Sequence, residues 1–456
     1  MQSWLPRLRD KDGPKYLAIA SAIEQAVKTG ALRPGERLPP QRALAQTLGV
    51  DLTTVTRAYG MMRDAGLVEG AGRLGSYIRN AASSVMPTEF SADTGMIMPP
   101  QPGFAFLADA MKTGMTKLLR AGGQSPLLQY QPSGGTLHDR LQAAAAMTMH
   151  GLHTSEDEVL ITAGGQNALH ALMGTVLAPG DALCAGRHVY PGMLALTARF
   201  GLSVIAADAD SEGLLPDAVA HAALRGARAL YVVPGNDNPT TATMGIARRR
   251  TIADVARHHG LTIIEDDAYG RLPASPLPPI ARFAPERTWH IASMSKIVSP
   301  VLRVAHVRAP SPRDARRLAA DIHETAVMAP PLNAAMVSAW IGDGTLKQLI
   351  SAVRSEAMAR QKIVARHLKP TRYLAHPEGY HLWLRLNAGR NAADLAAALR
   401  PSGLSIVASD VFAVDKQDNI PAVRISIGGV MDHDGLRLIM DRLETLLDRG
   451  PVGSDR

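Results

Sequence analysis

From about residue 155 the chain alternates short apolar runs with helix-length segments, and this rhythm limits its fold more than any other feature. Residues 158–161, 203–206, 229–233 and 261–265 read as buried strands. Residues 167–177 and 248–259 read as helices, the second lying between the last two strands. Such alternation argues for a doubly wound α/β sheet. Ligand chemistry in these sheets gathers beyond the C-terminal ends of the strands. Chemically capable residues stand there in this chain. Thr162-Ala163-Gly164-Gly165-Gln166 follows the first run and opens a helix, whose N–H groups can face an anion. Asn236-Asp237-Asn238-Pro239 follows the third run, and Asp266-Asp267-Ala268-Tyr269 the fourth. Ser293-Met294-Ser295-Lys296, Arg303 and Arg424 come later.

The chain has 456 residues, which suggests about three compact units. Its composition, 46% apolar and 20% charged, excludes disordered and collagenous classes. A single cysteine, Cys184, excludes an internal disulfide and a Cys-rich zinc cluster, and no metal is expected. No apolar run reaches the roughly 18 residues of a membrane span. Residues 1–15 lack the apolar stretch of a secretory signal, so a reducing cytoplasm is expected.

The net charge of +8 is uneven. Residues 1–80 hold 12 Lys and Arg against 7 Asp and Glu; the rest holds 37 against 34. A small basic segment ahead of a nearly balanced body suggests a module that meets a polyanion. Within it, Pro14 can open a helix with a stripe at Tyr16, Ala20, Ile23 and Val27. A turn-rich stretch leads to a second helix, Gln41–Leu48, which Gly49 ends. Asp51 can cap a third, burying Val55, Tyr59 and Met62 and exposing Thr53, Thr54 and Arg57. Gly66 is expected to end it. Residues 67–69 and Ser76–Ile78 can then pair as a small wing.

The stretch LRPGERLPPQRALAQTLGVDLTTVTRAYGMMRDAGLVEGAGRLGSYI resembles the winged helix-turn-helix of the GntR family of bacterial transcription regulators. That resemblance implies double-stranded DNA as partner, with contacts from Arg42, Thr53, Thr54, Arg57 and the wing's Arg73. Pro40, and a wing tip of Arg73-Leu74-Gly75-Ser76, depart from the family's usual pattern. Residues 1–79 form this domain, residues 80–89 a linker, and residues 90–456 a second body.

Taken in order, the motifs of that body resemble the fold-type I pyridoxal-phosphate enzymes, the aspartate-aminotransferase superfamily. The resemblance implies a large α/β lobe near 104–335 and a smaller α+β lobe near 336–448. It also implies pyridoxal 5′-phosphate as cofactor. Lys296 would form the aldimine. Asp266, with Asp267 as rival, would face the pyridine nitrogen; Asp-x-x-Tyr spacing favours Asp266. Tyr269 and Asn238 would bind the ring's 3-oxygen, and Tyr190 would stack on its face. Gly164, Gly165, Gln166, Ser293 and Arg303 would surround the phosphate. Tyr130 would reach a neighbouring subunit's cofactor, and Arg424 would grip a carboxylate. Ala163 replaces a common hydroxyl residue, and Val301 stands where glycine is frequent.

The fusion of the two halves resembles the MocR subfamily of regulators. It implies a domain-swapped homodimer that binds DNA and senses pyridoxal phosphate or an amino-acid-like amine at Lys296. The alternative is a pyridoxal-phosphate-dependent aminotransferase with an appended DNA-binding domain.

Overall fold

The structure, a computed structural model, describes residues 5, 14–33, 35–64, 67–70, 75–78, 95–101, 104–120, 128–387, 390–399, 402–417 and 419–448. The expected wing tip with Arg73, the helix stop at Gly66 and the linker 80–89 lie outside the described residues. The chain divides into two compact units, Met1–Ala92 and Asp93–Arg456.

The N-terminal unit has α1 (Lys15–Lys28), α2 (Gln41–Leu48), α3 (Leu52–Asp64), β1 (Val68–Gly70) and β2 (Ser76–Ile78). Pro14 is the N-cap of α1 rather than its first residue. Gly49 ends α2 at φ 61°, a left-handed conformation glycine adopts without strain. Asp51 accepts from the Thr53 backbone N–H at 2.8 Å, which satisfies one of the open donors of α3. Ile19, Ile23, Leu44, Val55 and Tyr59 pack into one core, each 0–1% exposed. Burial of such side chains is worth about 1.5–3 kcal/mol each. β1 and β2 pair antiparallel, Val68 opposite Ile78. The stretch read as a plain turn also joins the wing: Leu38 N–H donates to Ser76 and Ile78 N–H to Glu36. Extended backbone needs partners, and the open edge of β2 supplies them.

The second unit begins with α4 (Phe104–Arg120) and α5 (Leu137–Met149). There follow β3 (Val159–Thr162), α6 (Gly165–Val176), β4 (Ala182–Gly186), α7 (Pro191–Arg199) and β5 (Ser203–Ala207). A hairpin, β6 (Ala209–Asp210) and β7 (Gly213–Leu214), leads to α8 (Pro216–Leu224), β8 (Ala227–Val232), α9 (Ile246–His259) and β9 (Thr262–Asp266). The sheet is completed by β10 (Thr288–Ser293), with α10 (Met294–Ile297) after it, and β11 (Ala305–Arg308). Its seven strands lie in the order β3-β11-β10-β9-β8-β4-β5. β11 is antiparallel to both neighbours, and the other pairings are parallel. The central strands are mostly apolar, as expected where helices cover both faces, with buried polar exceptions such as Glu265, Asp266 and His290.

The chain continues through α11 (Pro312–Ala326), α12 (Pro331–Asp343) and α13 (Thr345–His367). β12 (Tyr373–Ala375), β13 (His381–Arg385), α14 (Ala392–Leu399), β14 (Ser405–Ala408), β15 (Ala422–Ser426) and α15 (His433–Asp448) close it. These strands make a fully antiparallel sheet, β12-β13-β15-β14. The border read between the lobes, 335–336, falls inside the unbroken α12. Among the described residues no helix is long and apolar enough to cross a membrane.

Candidate cofactor and DNA-binding sites

Four strand ends of the large sheet aim at one place. β9 ends on Asp266, β10 on Ser293, β3 leads into Gly164 and Gly165, and the loop after β8 carries Asn238. Lys296 sits in the one-turn helix α10, directly after β10. The Ser293 hydroxyl caps that turn, accepting from the Ser295 N–H at 3.2 Å. From the smaller sheet, β15 contributes Arg424, which is 2% exposed.

Electrostatics show these side chains share a site. Burial lowers the Lys296 pKa to about 8, Arg424 and Arg303 push the same way, and Asp266 opposes them. Burial raises the Asp266 carboxyl to about 6, with Asp267 adding to the rise and Tyr231 and Lys296 opposing. Tyr231 Oη donates to Asp266 Oδ2 at 2.9 Å. Asp267 feels His290, Glu265, Arg249 and Arg271 instead, and its Oδ2 lies 3.9 Å from His290 Nε2. Of the two carboxylates, Asp266 is the one that faces Lys296. Tyr269 and Tyr190 both feel Asp266 and Arg424, and burial raises both phenols.

The glycine turn works by lacking side chains. Gly164 has φ 83°, and a Cβ there would lie 2.9 Å from Cζ of Arg303. Arg303 Nη2 donates to the Ala163 carbonyl at 2.9 Å, which fixes the guanidinium over the start of α6. A Cβ on Gly165 would stand 3.6 Å from Ser293 Cβ. Gln166 Nε2 donates to the Gly192 carbonyl at 3.3 Å, next to the Tyr190 ring. The bare N-terminus of a twelve-residue helix, a guanidinium and a hydroxyl form an anion cradle. Tyr269 Oη and Gln166 Oε1 are buried without a hydrogen-bond partner. The cradle, an amine of lowered pKa, a buried carboxylate and an unfilled phenol together fit a phosphate-bearing, aldehyde-bearing pyridine ring.

Arg424 Nη1 donates to Asn238 Oδ1 at 3.1 Å, and Nη2 donates to the Gly95 carbonyl. Its guanidinium lies 4.9 Å from the Phe412 ring centroid. Tyr130 is the one expected cofactor residue that does not join the others; it is 84% exposed.

Three neighbours have no counterpart in the motifs read from sequence. Tyr231 carries the only hydroxyl in the apolar run of β8, which was the available signal. His381 is fully buried and its Nε2 donates to the Asp237 carbonyl at 3.0 Å. Burial holds it neutral, with a pKa of about 3. The Ile97 carbonyl accepts from Lys296 Nζ at 2.6 Å, and a backbone oxygen leaves no mark in sequence. A cavity of about 830 Å³ lies beyond Tyr231, bounded by Arg187, Trp383 and Arg385; none of the expected cofactor residues lines it.

In the N-terminal unit Arg42 and Arg57 are exposed on α2 and α3, Thr53 is exposed and Thr54 half-buried. The Thr53 hydroxyl donates to Asp51 Oδ1 at 2.6 Å. Arg57 stacks on Tyr16, with Cζ 4.0 Å from the ring centroid. Its guanidinium is thus held in place rather than freely solvated.

Comparison with known proteins agrees with both halves. Residues 15–78 match the bacterial regulatory proteins of the gntR family, and residues 104–443 match the aminotransferases of class I and II. The HTH-type transcriptional regulator YdeF of Bacillus subtilis is 28% identical over 454 residues, covering 98% of this chain and 97% of its own. The vitamin B6 salvage pathway transcriptional repressor PtsJ of Salmonella typhimurium is 26% identical, covering 93% and 96%. Among solved structures, the α-aminoadipate aminotransferase LysN of Thermus thermophilus superposes with a TM-score of 0.69 at 24% identity, over 80% of this chain and 96% of that one. The Pyrococcus horikoshii kynurenine aminotransferase gives 0.71 at 19%, over 85% and 98%. The chain belongs to the class I and II aminotransferase family and carries that domain behind a gntR-family regulatory domain, the composition of the MocR subfamily.

Proposed function

We propose that this chain is a DNA-binding transcription regulator of the MocR type. Its aminotransferase-like body holds pyridoxal 5′-phosphate and senses either that cofactor or an amino-acid-like amine. The observation that carries the reading is the convergence of Lys296, Asp266, Tyr269, Asn238, Arg303 and Arg424 in one chain with an intact helix-turn-helix. Relatives named as vitamin B6 and pyridoxine regulators, PtsJ and PdxR of Corynebacterium glutamicum, support it.

The bound cofactor supplies an aldehyde that captures primary amines and a ring that draws electrons. Lys296 provides the attacking amine. Asp266, held by Tyr231, keeps the ring nitrogen protonated. Tyr269 and Asn238 serve the ring oxygen, and Tyr190 covers its face. Gly164, Gly165, Gln166, Ser293 and Arg303 receive the phosphate, and Arg424 receives an effector carboxylate. Tyr130 serves the partner's cofactor in a domain-swapped homodimer. Arg42, Thr53, Thr54 and Arg57, with Arg73, meet DNA backbone and base edges. The expected setting is the cytoplasm.

The test is DNA binding to the upstream region of its own gene, comparing native chain and Lys296→Ala with and without pyridoxal phosphate. Affinity or footprint is expected to change with cofactor only in the native chain. No response to cofactor or any amine would sink the sensing role. The lowered pKa of Lys296 also suits proton transfer, which favours aminotransferase turnover as the second reading. Repeated keto-acid production from an amino donor and acceptor pair would select it.

A further inference from the structure

Behind the carboxylate assigned to the cofactor lies a buried charge network that the proposed function leaves unused. Glu265 and Asp266 are successive residues of β9, so their side chains point to opposite faces of the sheet. Asp267 follows them directly, and β10 sets His290 in register with Glu265. His290 is 4% exposed, and both its ring nitrogens face carboxylates: Nδ1 lies 3.1 Å from Glu265 Oε2, and Nε2 lies 3.9 Å from Asp267 Oδ2. Glu265 also accepts from the backbone N–H groups of Ile280 at 2.7 Å and Ala281 at 3.0 Å. Asp267 Oδ1 is buried without a hydrogen-bond partner among the described residues. A Cβ on Gly270 would overlap that carboxylate, so bare backbone is what gives it room.

Only a protonated imidazole carries N–H groups at both nitrogens, so carboxylates on its two sides favour the cation. Burial pulls the His290 pKa down and Arg271 adds to that, but Glu265 and Asp267 outweigh them and the net shift is upward. Other basic groups pack around the network. Arg249 spends its guanidinium on the carbonyls of Met244, Pro278 and Pro234. Burial and Arg271 hold His150 at a pKa of about 4 and His306 at about 3, so both are neutral. Arg271 faces Asp267 as a second cation. At Asp266 itself the charge of Asp267 opposes ionisation, whereas Lys296 and His290 favour it. Two carboxylates on adjacent buried residues repel strongly, because little solvent screens them. A cation beside the second one offsets that repulsion.

We propose that His290 is a positioning residue of the cofactor site: held as a cation between Glu265 and Asp267, it offsets the charge of Asp267 and so leaves Asp266 able to carry the charge that a cofactor's ring nitrogen needs. The use made of Asp266 rests on the function proposed above; the action of His290 and Asp267 upon it rests on the contacts.

Denaturant titration of the unloaded protein at pH 7.5 tests it. The quantity read is how far Asp266→Asn lowers the unfolding constant, a measure of what the Asp266 charge costs. It is taken in the otherwise native chain, with His290→Gln, and with His290→Gln and Asp267→Asn together. Loss of the cation should enlarge the effect roughly threefold or more, and loss of the second carboxylate as well should return it close to the native value. A merely structural role for His290 would weaken both chains of each pair alike, and removing a carboxylate would not undo it. An effect that His290→Gln leaves unchanged, or that stays enlarged when Asp267→Asn is added, overturns the proposal. Should His290→Gln fail to fold, Asp267→Asn alone decides: the effect of Asp266→Asn should shrink roughly threefold, and an unchanged effect would leave His290 no charge to offset. No cofactor enters these measurements, so a chain that shows no visible band with pyridoxal phosphate would overturn the proposed function alone.

Discussion

Asp266 is a carboxylate kept ionisable at a cost. Burial raises its pKa from 3.8 to about 6, so the folded state holds the proton more tightly than the unfolded one. Stability from this group is full below pH 3.8 and lost as pH rises through 6, leaving a penalty of about 3 kcal/mol at neutral pH. Asp266→Asn should therefore stabilise the unloaded protein at pH 7.5 in denaturant titrations, with the gain shrinking towards pH 5. The same change should weaken the visible band of bound pyridoxal phosphate. Lys296 carries the opposite signature. Only the neutral amine attacks an aldehyde, and its pKa is about 8 rather than 10.5. The rate of cofactor capture, followed by absorbance, should rise with pH and level off just above 8. Asp266 drew notice in sequence because it follows an apolar run, but its role and that of Lys296 were expected only from the resemblance that the ordered motifs carry. Tyr231, His381 and the Ile97 carbonyl were not legible, because contacts across strands or from backbone atoms follow no local period.

At the scale of elements, α6 is defined by what it lacks. Gly164→Ala would press a methyl group to 2.9 Å from the Arg303 guanidinium carbon at a left-handed φ. The expected result is a native far-UV spectrum with pyridoxal phosphate affinity reduced at least tenfold, read by absorbance titration. Unchanged affinity would mean that the cradle does not hold the phosphate. Sequence placed β5 and β9 to within a residue or so, since apolar runs and glycine turns set those limits. It missed the pairing of residues 36–38 with β2, because a Pro- and Gly-rich stretch looks the same whether or not an edge lies beside it. The antiparallel sense of β11 was equally hidden, since strand direction depends on connections rather than composition.

The whole molecule divides its labour along the chain, and the basic excess of residues 1–80 falls within the N-terminal unit. Binding to DNA should weaken linearly in log salt, and Arg42→Ala should lower that slope by about one without shifting the visible band. A slope unchanged by Arg42→Ala would exclude that side chain from phosphate contact. Two-part organisation was legible because each part has its own grammar; the placement of residues 95–101 against the cofactor cleft was not, because it joins residues distant in sequence. Strand order carries one more consequence. Among the described residues β3 pairs with no sheet strand other than β11, which comes over 140 residues later, while β4, β5 and β8 find their neighbours sooner. As the chain leaves the ribosome N-terminus first, the strand that leads into the glycine cradle must wait for residues 305–308, and Arg424 emerges later still. A nascent copy thus completes its helix-turn-helix well before it can hold a cofactor.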